Sequence, residues 1–155
     1  MPGSVVAVTL RAVEPGDLPT LFTFQNDPVA NALVVVPARD QSGFDAHWAR
    51  ILADDATLIR TIVVADEVAG HVLSFERDGW RLIGYWLGRR FWGQGIATQA
   101  VPMVLALVEH RPVHAHVAKH NIGSRRILER CGFELTSTAV DPVDQAEIWL
   151  YELGG

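Results

Sequence analysis

Between Leu58 and Val117 the apolar residues change period twice, and this change restricts the fold more than any other feature of the chain. Leu58 to Ala65, Val68 to Glu76 and Arg81 to Leu87 are short runs rich in β-branched and aromatic residues, the composition of strands. Asp78-Gly79 favours a tight hairpin between the last two, and Asp66-Glu67 is a weaker turn signal between the first two. After Gly95 the spacing becomes helical, with Ile96, Ala100, Val104, Leu107 and Val108 on one face. Pro112 breaks the chain, and Val113 to Val117 reads as another strand. The segment from Arg81 to Val117 is then a strand-helix-strand crossover, which joins parallel neighbours in a sheet. The fold class is α/β, with a mixed central sheet flanked by helices.

The flanking segments complete the order. Val6 to Leu10 reads as a first strand, and Asp17 as the cap of a helix bearing Leu18, Leu21 and Phe22. Leu33 to Val36 reads as a loop ended by Pro37. Ser42 and Asp45 resemble a capping box for a second helix, carrying Phe44, Trp48, Ile51 and Leu52 to about Ala53. Asn121 starts a last helix that runs through Cys131 and stops at Gly132, before strands over Phe133 to Thr138 and Glu147 to Leu153. The result is β-α-α-β-β-β-α-β-α-β-β in one domain, residues 1–155. Pro102 lies inside the helix behind Gly95 and offers no N–H to the Thr98 carbonyl, which predicts a kink there.

Composition narrows the function. Hydrophobic residues make up 49% and charged residues 20%, a globular balance, and 13 basic against 18 acidic residues argue against general nucleic-acid binding. The single cysteine, Cys131, has no disulfide partner in the chain and points to a reducing cytoplasm. The start lacks a basic leader, and the longest apolar stretch, Ala100 to Val108, is too short to span a bilayer. His114, His116 and His120 have no fourth ligand at convincing spacing, so no metal is expected. The five tryptophans read as core or strand-packing groups. Cys131 reads as a small buried hydrophobe rather than a nucleophile.

The chemically informative run is Arg90-Phe91-Trp92-Gly93-Gln94-Gly95-Ile96-Ala97, between a strand and a long helix. Glycines let the backbone bend sharply, and the helix start behind them offers unpaired N–H groups and a positive dipole end. Together these suit a pyrophosphate. A P-loop would need Gly-Lys-Ser/Thr, and a dinucleotide loop a third glycine; neither is present. The run Arg90-x-x-Gly93-x-Gly95 resembles the cofactor loop of the GNAT N-acetyltransferases. Asn121-x-x-Ser124 and Cys131-Gly132-Phe133 resemble the second half of that site. Gly84-Tyr85-Trp86-Leu87 and Phe24-Gln25-Asn26-Asp27-Pro28 resemble the branch containing ribosomal-protein N-terminal acetyltransferases. The resemblance is specific over Arg81 to Phe133 and looser over Leu10 to Ala53.

The resemblance implies a single GNAT domain whose strands splay at an acetyl-CoA cleft, with acetyl-CoA as cosubstrate. The acceptor would be an amine, on a small molecule or a protein N-terminus, and homodimerisation is compatible with the sequence. A bulged strand over Tyr85 to Gly88 would hold the pantetheine arm through the main chain of Trp86 and Leu87 and polarise the thioester carbonyl. The loop of Arg90, Trp92, Gly93, Gln94, Gly95, Ile96, Ala97 and Thr98 would hold the pyrophosphate, its N–H groups from Gly93 to Thr98 doing so directly. Asn121 would reach the pantetheine arm and Ser124 would lie one turn on, while Arg125 or Arg126 could meet the adenosine phosphate. Many members carry a general-acid tyrosine where this chain has Leu128, so Ser124 becomes the nearest proton donor. Glu76, His120 and His71 are the candidate bases. Weak acid–base equipment favours α-amino acceptors, with pKa about 7.7–8.0, over lysine side chains. A non-catalytic acyl-CoA sensor would carry the same loop and stands as the alternative.

Overall fold

Two hairpins with two-residue turns build the centre of the sheet. Strands β2 (Leu58–Val64), β3 (Glu67–Arg77) and β4 (Trp80–Leu87) are consecutive and antiparallel. Asp78 and Gly79 both take positive φ, +54° and +81°, the geometry of a type I′ turn. Ala65 and Asp66 also adopt positive φ, so the first turn lies one residue before Asp66-Glu67. The computed structural model describes residues 6–34, 38–142 and 145–154. Within them seven strands form one sheet in the order β1-β2-β3-β4-β5-β7-β6. The outer strands are β1 (Val8–Arg11), β5 (Val113–Ala118), β6 (Glu134–Val140) and β7 (Glu147–Leu153). Every pairing is antiparallel except β4–β5, which are parallel and joined through helix α4 (Ile96–Leu105).

Helices cover both faces. On one face α4 and α5 (Ile122–Arg130) pack over a core containing Val72, Ile83, Val101, Val113, Leu128 and Tyr151. On the other face α1 (Leu18–Gln25) and α3 (Gln41–Ala53) bring Leu21, Phe44 and Trp48 onto Ile59. A one-turn helix, α2 (Pro28–Asn31), follows α1 and was not expected; Asp27 caps it by accepting the Val29 N–H at 3.0 Å. Of the loop expected over Leu33 to Val36, residues 35 and 36 lie outside the described residues.

Several expectations need correction. The cap of α3 is Asp40, whose carboxylate accepts the Gly43 N–H at 2.7 Å, rather than Ser42. Helix α4 includes Pro102 and stops at Leu105, short of Val108. The carbonyl that Pro102 leaves free, on Thr98, lies 3.9 Å from the Cys131 thiol. The register of β3 with β4 is regular from Gly70–Leu87 to Arg77–Trp80, so no bulge with β3 occurs at Tyr85, Trp86 or Leu87; the register shifts lie between β2 and β3, at Ile62/Val63, and between β6 and β7, at Leu135/Ser137. Only Trp48 among the tryptophans is fully buried, while Trp80 is 48% exposed and stacks on His114 at 4.0 Å.

Asp17 makes no side-chain bond to cap α1. It is instead a buried carboxylate held from three directions. Arg11 donates to it twice, at 2.7 and 2.8 Å, the Glu14 N–H at 2.9 Å, and the Thr61 hydroxyl at 2.8 Å. These contacts tie β1, the turn before α1 and β2 together. The Arg11 bonds lead in holding the Asp17 carboxyl down to about 2, against the opposing effect of burial. The folded value is depressed, so the stabilisation is present above the ordinary value of 3.8 and is lost as pH falls towards 2. Asp17→Asn is expected to cost about 2 kcal/mol at neutral pH, because Arg11 loses its charged partner. Denaturant unfolding between pH 2 and 7 checks this: the gap between wild type and variant closes below pH 4, and a constant gap would contradict the assignment.

Candidate functional site

The cleft forms where β4 and β5 separate. They pair only at Leu82 and His114, and beyond that point the register joins no further residues of the two strands. Main-chain groups of Ile83 to Leu87 that face the gap therefore have no strand partner there. A cleft of about 1130 Å³ opens at this place, bordered by Tyr85, Trp86, Leu87, Asn121, Ser124 and Leu128. Its volume matches that of a site for an extended ligand.

The glycine loop forms one wall. Gly93 and Gly95 adopt φ of +73° and +76°, a region that glycine enters without steric cost. Gly95 is the N-cap of α4 and supplies no side-chain acceptor, so the Ile96, Ala97 and Thr98 N–H groups of the first turn are left for a ligand. A Cβ at Gly93 or Gly95 would meet nothing within 4 Å, and Gly93, Gly95, Ile96, Ala97 and Thr98 all border the cleft. The open space above these glycines, backed by a helix start, fits a pyrophosphate. Gln94 donates to the Arg90 carbonyl at 2.9 Å, and Trp92 to the Leu87 carbonyl at 3.2 Å, which brace the loop.

Arg90 and Gly88 stand apart from the cleft. The Arg90 guanidinium pairs with Glu67 at 3.1 Å and lies over the Phe91 ring. A Cβ at Gly88 would come within 2.5 Å of the Phe24 ring, so glycine there serves close packing of α1 on the strand end. On α5, Arg126 and Arg130 border the cleft, whereas Arg125 lies 3.8 Å over the Trp149 ring.

Asn121 caps α5, accepting the Ser124 N–H at 3.3 Å. Ser124 meets a residue whose role the sequence reading missed: its hydroxyl lies 2.6 Å from the Tyr85 hydroxyl, which also donates to the Ser124 carbonyl at 3.2 Å. Burial pushes the Tyr85 phenol above its ordinary value, against the Ser124 hydrogen bond, so it stays protonated through neutral pH. The quoted run Gly84-Tyr85-Trp86-Leu87 held that residue in view, but its meeting with α5 is set by tertiary structure.

The three candidate bases separate. His120 borders the cleft, and its Nε2 lies 3.0 Å from the Ala32 carbonyl. A carbonyl only accepts, so Nε2 carries the proton in the neutral ring and Nδ1 keeps a lone pair. Glu76 is 3.1 Å from Arg81 and does not border the cleft. His71 is buried edge-on against Trp48 at 4.9 Å, on the α1/α3 face. Burial, with a smaller effect of His47, pushes His71 down to about 3, so it is neutral at physiological pH and enclosed. Among the described residues no group of three His, Cys, Asp or Glu side chains could hold a metal ion, and no helix is long and apolar enough to cross a membrane.

Comparison with known proteins agrees with this geometry. The chain is 30% identical over 107 residues to the probable N-acetyltransferase YjcK of Bacillus subtilis (strain 168), a match covering 66% of the chain and 56% of that protein. The chain thus spans little more than half the length of this curated relative. A spermidine N-acetyltransferase from Vibrio cholerae, solved with CoA and spermine, superposes with a TM-score of 0.84 at 18% identity, covering 95% of each chain. A microcin C7 self-immunity acetyltransferase, solved with acetyl-CoA and AMP, superposes at 0.80 with 21% identity, covering 96% of this chain and 92% of that one. These likenesses show a shared fold. The family model described as an acetyltransferase (GNAT) domain matches residues 7–134, and the chain accordingly belongs to the GNAT acetyltransferase family.

Proposed function

We propose that the protein transfers an acetyl group from acetyl-CoA to a primary amine by direct attack within a ternary complex. One observation carries this reading: the unpaired N–H groups behind Gly93 and Gly95 border the same cleft as the β4–β5 gap and the Ser124–Tyr85 pair. The pyrophosphate would sit on the first turn of α4, with Arg126 and Arg130 on the basic side of the cleft towards the adenosine phosphates. The pantetheine arm would run into the β4–β5 gap, along the main chain of Trp86 and Leu87 and past Asn121. A main-chain N–H facing the gap would polarise the thioester carbonyl.

In the reaction the amine nitrogen forms a bond to the acetyl carbon, the carbon–sulfur bond breaks, and the sulfur leaves with the bonding electrons. Ser124 would supply its proton, and the Tyr85 phenol, held protonated, would replenish it through the 2.6 Å contact. The neutral amine attacks, and His120 Nδ1 would take the proton that its nitrogen gives up as the bond to the acetyl carbon forms, directly or through water. Glu76, bound to Arg81, is poorly placed for that role. The acceptors we favour are α-amines, which are about a tenth neutral at pH 7, in keeping with the branch that Phe24 to Pro28 resembles.

Two variants separate binding from chemistry. Gly95→Val forces a β-branched residue into positive φ and places its side chain where the phosphate would lie; acetyl-CoA affinity is expected to fall at least about tenfold by calorimetry. Ser124→Ala is expected to lower kcat about 100-fold in a thiol-release assay while acetyl-CoA affinity stays within about threefold. Unchanged affinity in the first variant, or normal turnover in the second, contradicts the assignment. Tight acetyl-CoA binding with no thiol release over a broad amine panel would identify an acyl-CoA sensor.

A further inference from the structure

On the acceptor side of the sheet stands a pair of arginines, Arg77 and Arg39, that meets no carboxylate among the described residues. From it we infer that the acceptor amine bears a carboxylate, held by Arg77 and Arg39. The inference rests on the acyl-transfer reading above and names the substrate class for that same site.

A second cavity, of about 340 Å³, lies against the α1/α3 face of the sheet, and Arg77 and Trp86 border both it and the main cleft. Trp86 is fixed at this junction, because its indole N–H donates to the Phe24 carbonyl at 2.9 Å. An acceptor with its amine at the β4–β5 gap can extend past Trp86 towards Arg77, which borders both spaces. Arg39 borders the second cavity and not the main cleft.

The two arginines on this path stand without ion-pair partners among the described residues. Arg77 lies over the Phe75 ring at 5.2 Å. Two acidic groups also border the second cavity. Glu76 pairs with Arg81 at 3.1 Å, and Asp54 accepts the Ala56 N–H and the Thr57 hydroxyl, each at 2.9 Å. Asp141, at the edge of the main cleft, has a partner of its own. The histidines point the same way. His47 is lowered by burial and then by Arg39 and Arg50, and His116 by partial burial and then by Arg77 and His114. The positive field of Arg39 and Arg77, a smaller cause of each shift than burial, opposes a polycation. It favours an anion, which an arginine can bind with two parallel hydrogen bonds.

The test compares dipeptides as free acids with the same dipeptides as C-terminal amides, and with spermidine as a polycation. For each, kcat/KM is measured, together with calorimetric binding to the CoA-loaded protein. Free acids are expected to exceed their amides by about tenfold or more, with spermidine weakest. In Arg77→Gln this acid-to-amide ratio falls towards one, Arg77→Lys retains part of it, and the thermal midpoint reports that each variant is folded. Free acids no better than amides, a preference for spermidine, or a ratio untouched by both Arg77→Gln and Arg39→Gln would overturn the inference. If acetyl-CoA binds and no amine turns over, the acyl-transfer reading fails instead. The calorimetric ratio then decides the present inference alone, and equal or absent binding of acid and amide overturns it.

Discussion

The divergence of two parallel strands is the constraint on which the site depends. Elsewhere the sheet is continuous and antiparallel, so its backbone groups are paired strand to strand. At β4 and β5 one register pair, Leu82 with His114, is the whole connection. Unpaired backbone groups in a protein interior are costly and must find partners. A ligand running through the gap can supply them, which makes the gap a binding element as much as an opening. The crossover that joins the strands also fixes what stands beside the gap: α4 follows β4 through the Gly93–Gly95 turn, so its positive end lies at the mouth. Close backbone approach holds the other edge of β4. A Cβ at Gly70 on β3 would collide with the Trp86 carbonyl, so only glycine lets β3 press against the strand that borders the cleft.

In the proposed reaction, proton chemistry is divided among residues that are distant in sequence. Leu128 is buried in the core, 1% exposed, and the hydroxyl groups nearest the gap belong to Tyr85 and Ser124. The pair has an architectural role as well, since it fastens the first turn of α5 to β4. Asn121 adds to this by capping the same turn. A change at Ser124 therefore touches the placement of α5 as well as the chemistry proposed for it, and affinity has to be measured beside turnover for that reason. His71 shows how register separates roles: it faces Trp86 across β3–β4, yet the α1/α3 packing encloses it.

Local chemistry made much of this fold legible. Asp78-Gly79 can take the positive φ of a type I′ turn, and the apolar and aromatic run Ile148-Trp149-Leu150-Tyr151 marks the strand Glu147–Leu153, whose bounds match the structure. The glycine loop was legible for the same reason, because Gly93 and Gly95 occupy conformations that most residues avoid. What stayed hidden depends on partners far along the chain. Asp17 has the composition of a cap, but its bonds to Arg11 and Thr61 make it a buried anchor. Arg90 fits the loop pattern, but Glu67 on the neighbouring hairpin takes its charge. Tyr85 and Ser124 are 39 residues apart, and no spacing rule joins a strand residue to a helix start at that distance.

An amide chemical-shift map recorded on adding acetyl-CoA tests the central claim most directly, since it reads the backbone groups the cleft offers. The account predicts the largest shifts at Gly93 to Thr98 and along Ile83 to Leu87, with α3 and β6 little changed. Shifts centred on α3 or β6, with the first turn of α4 undisturbed, would contradict it.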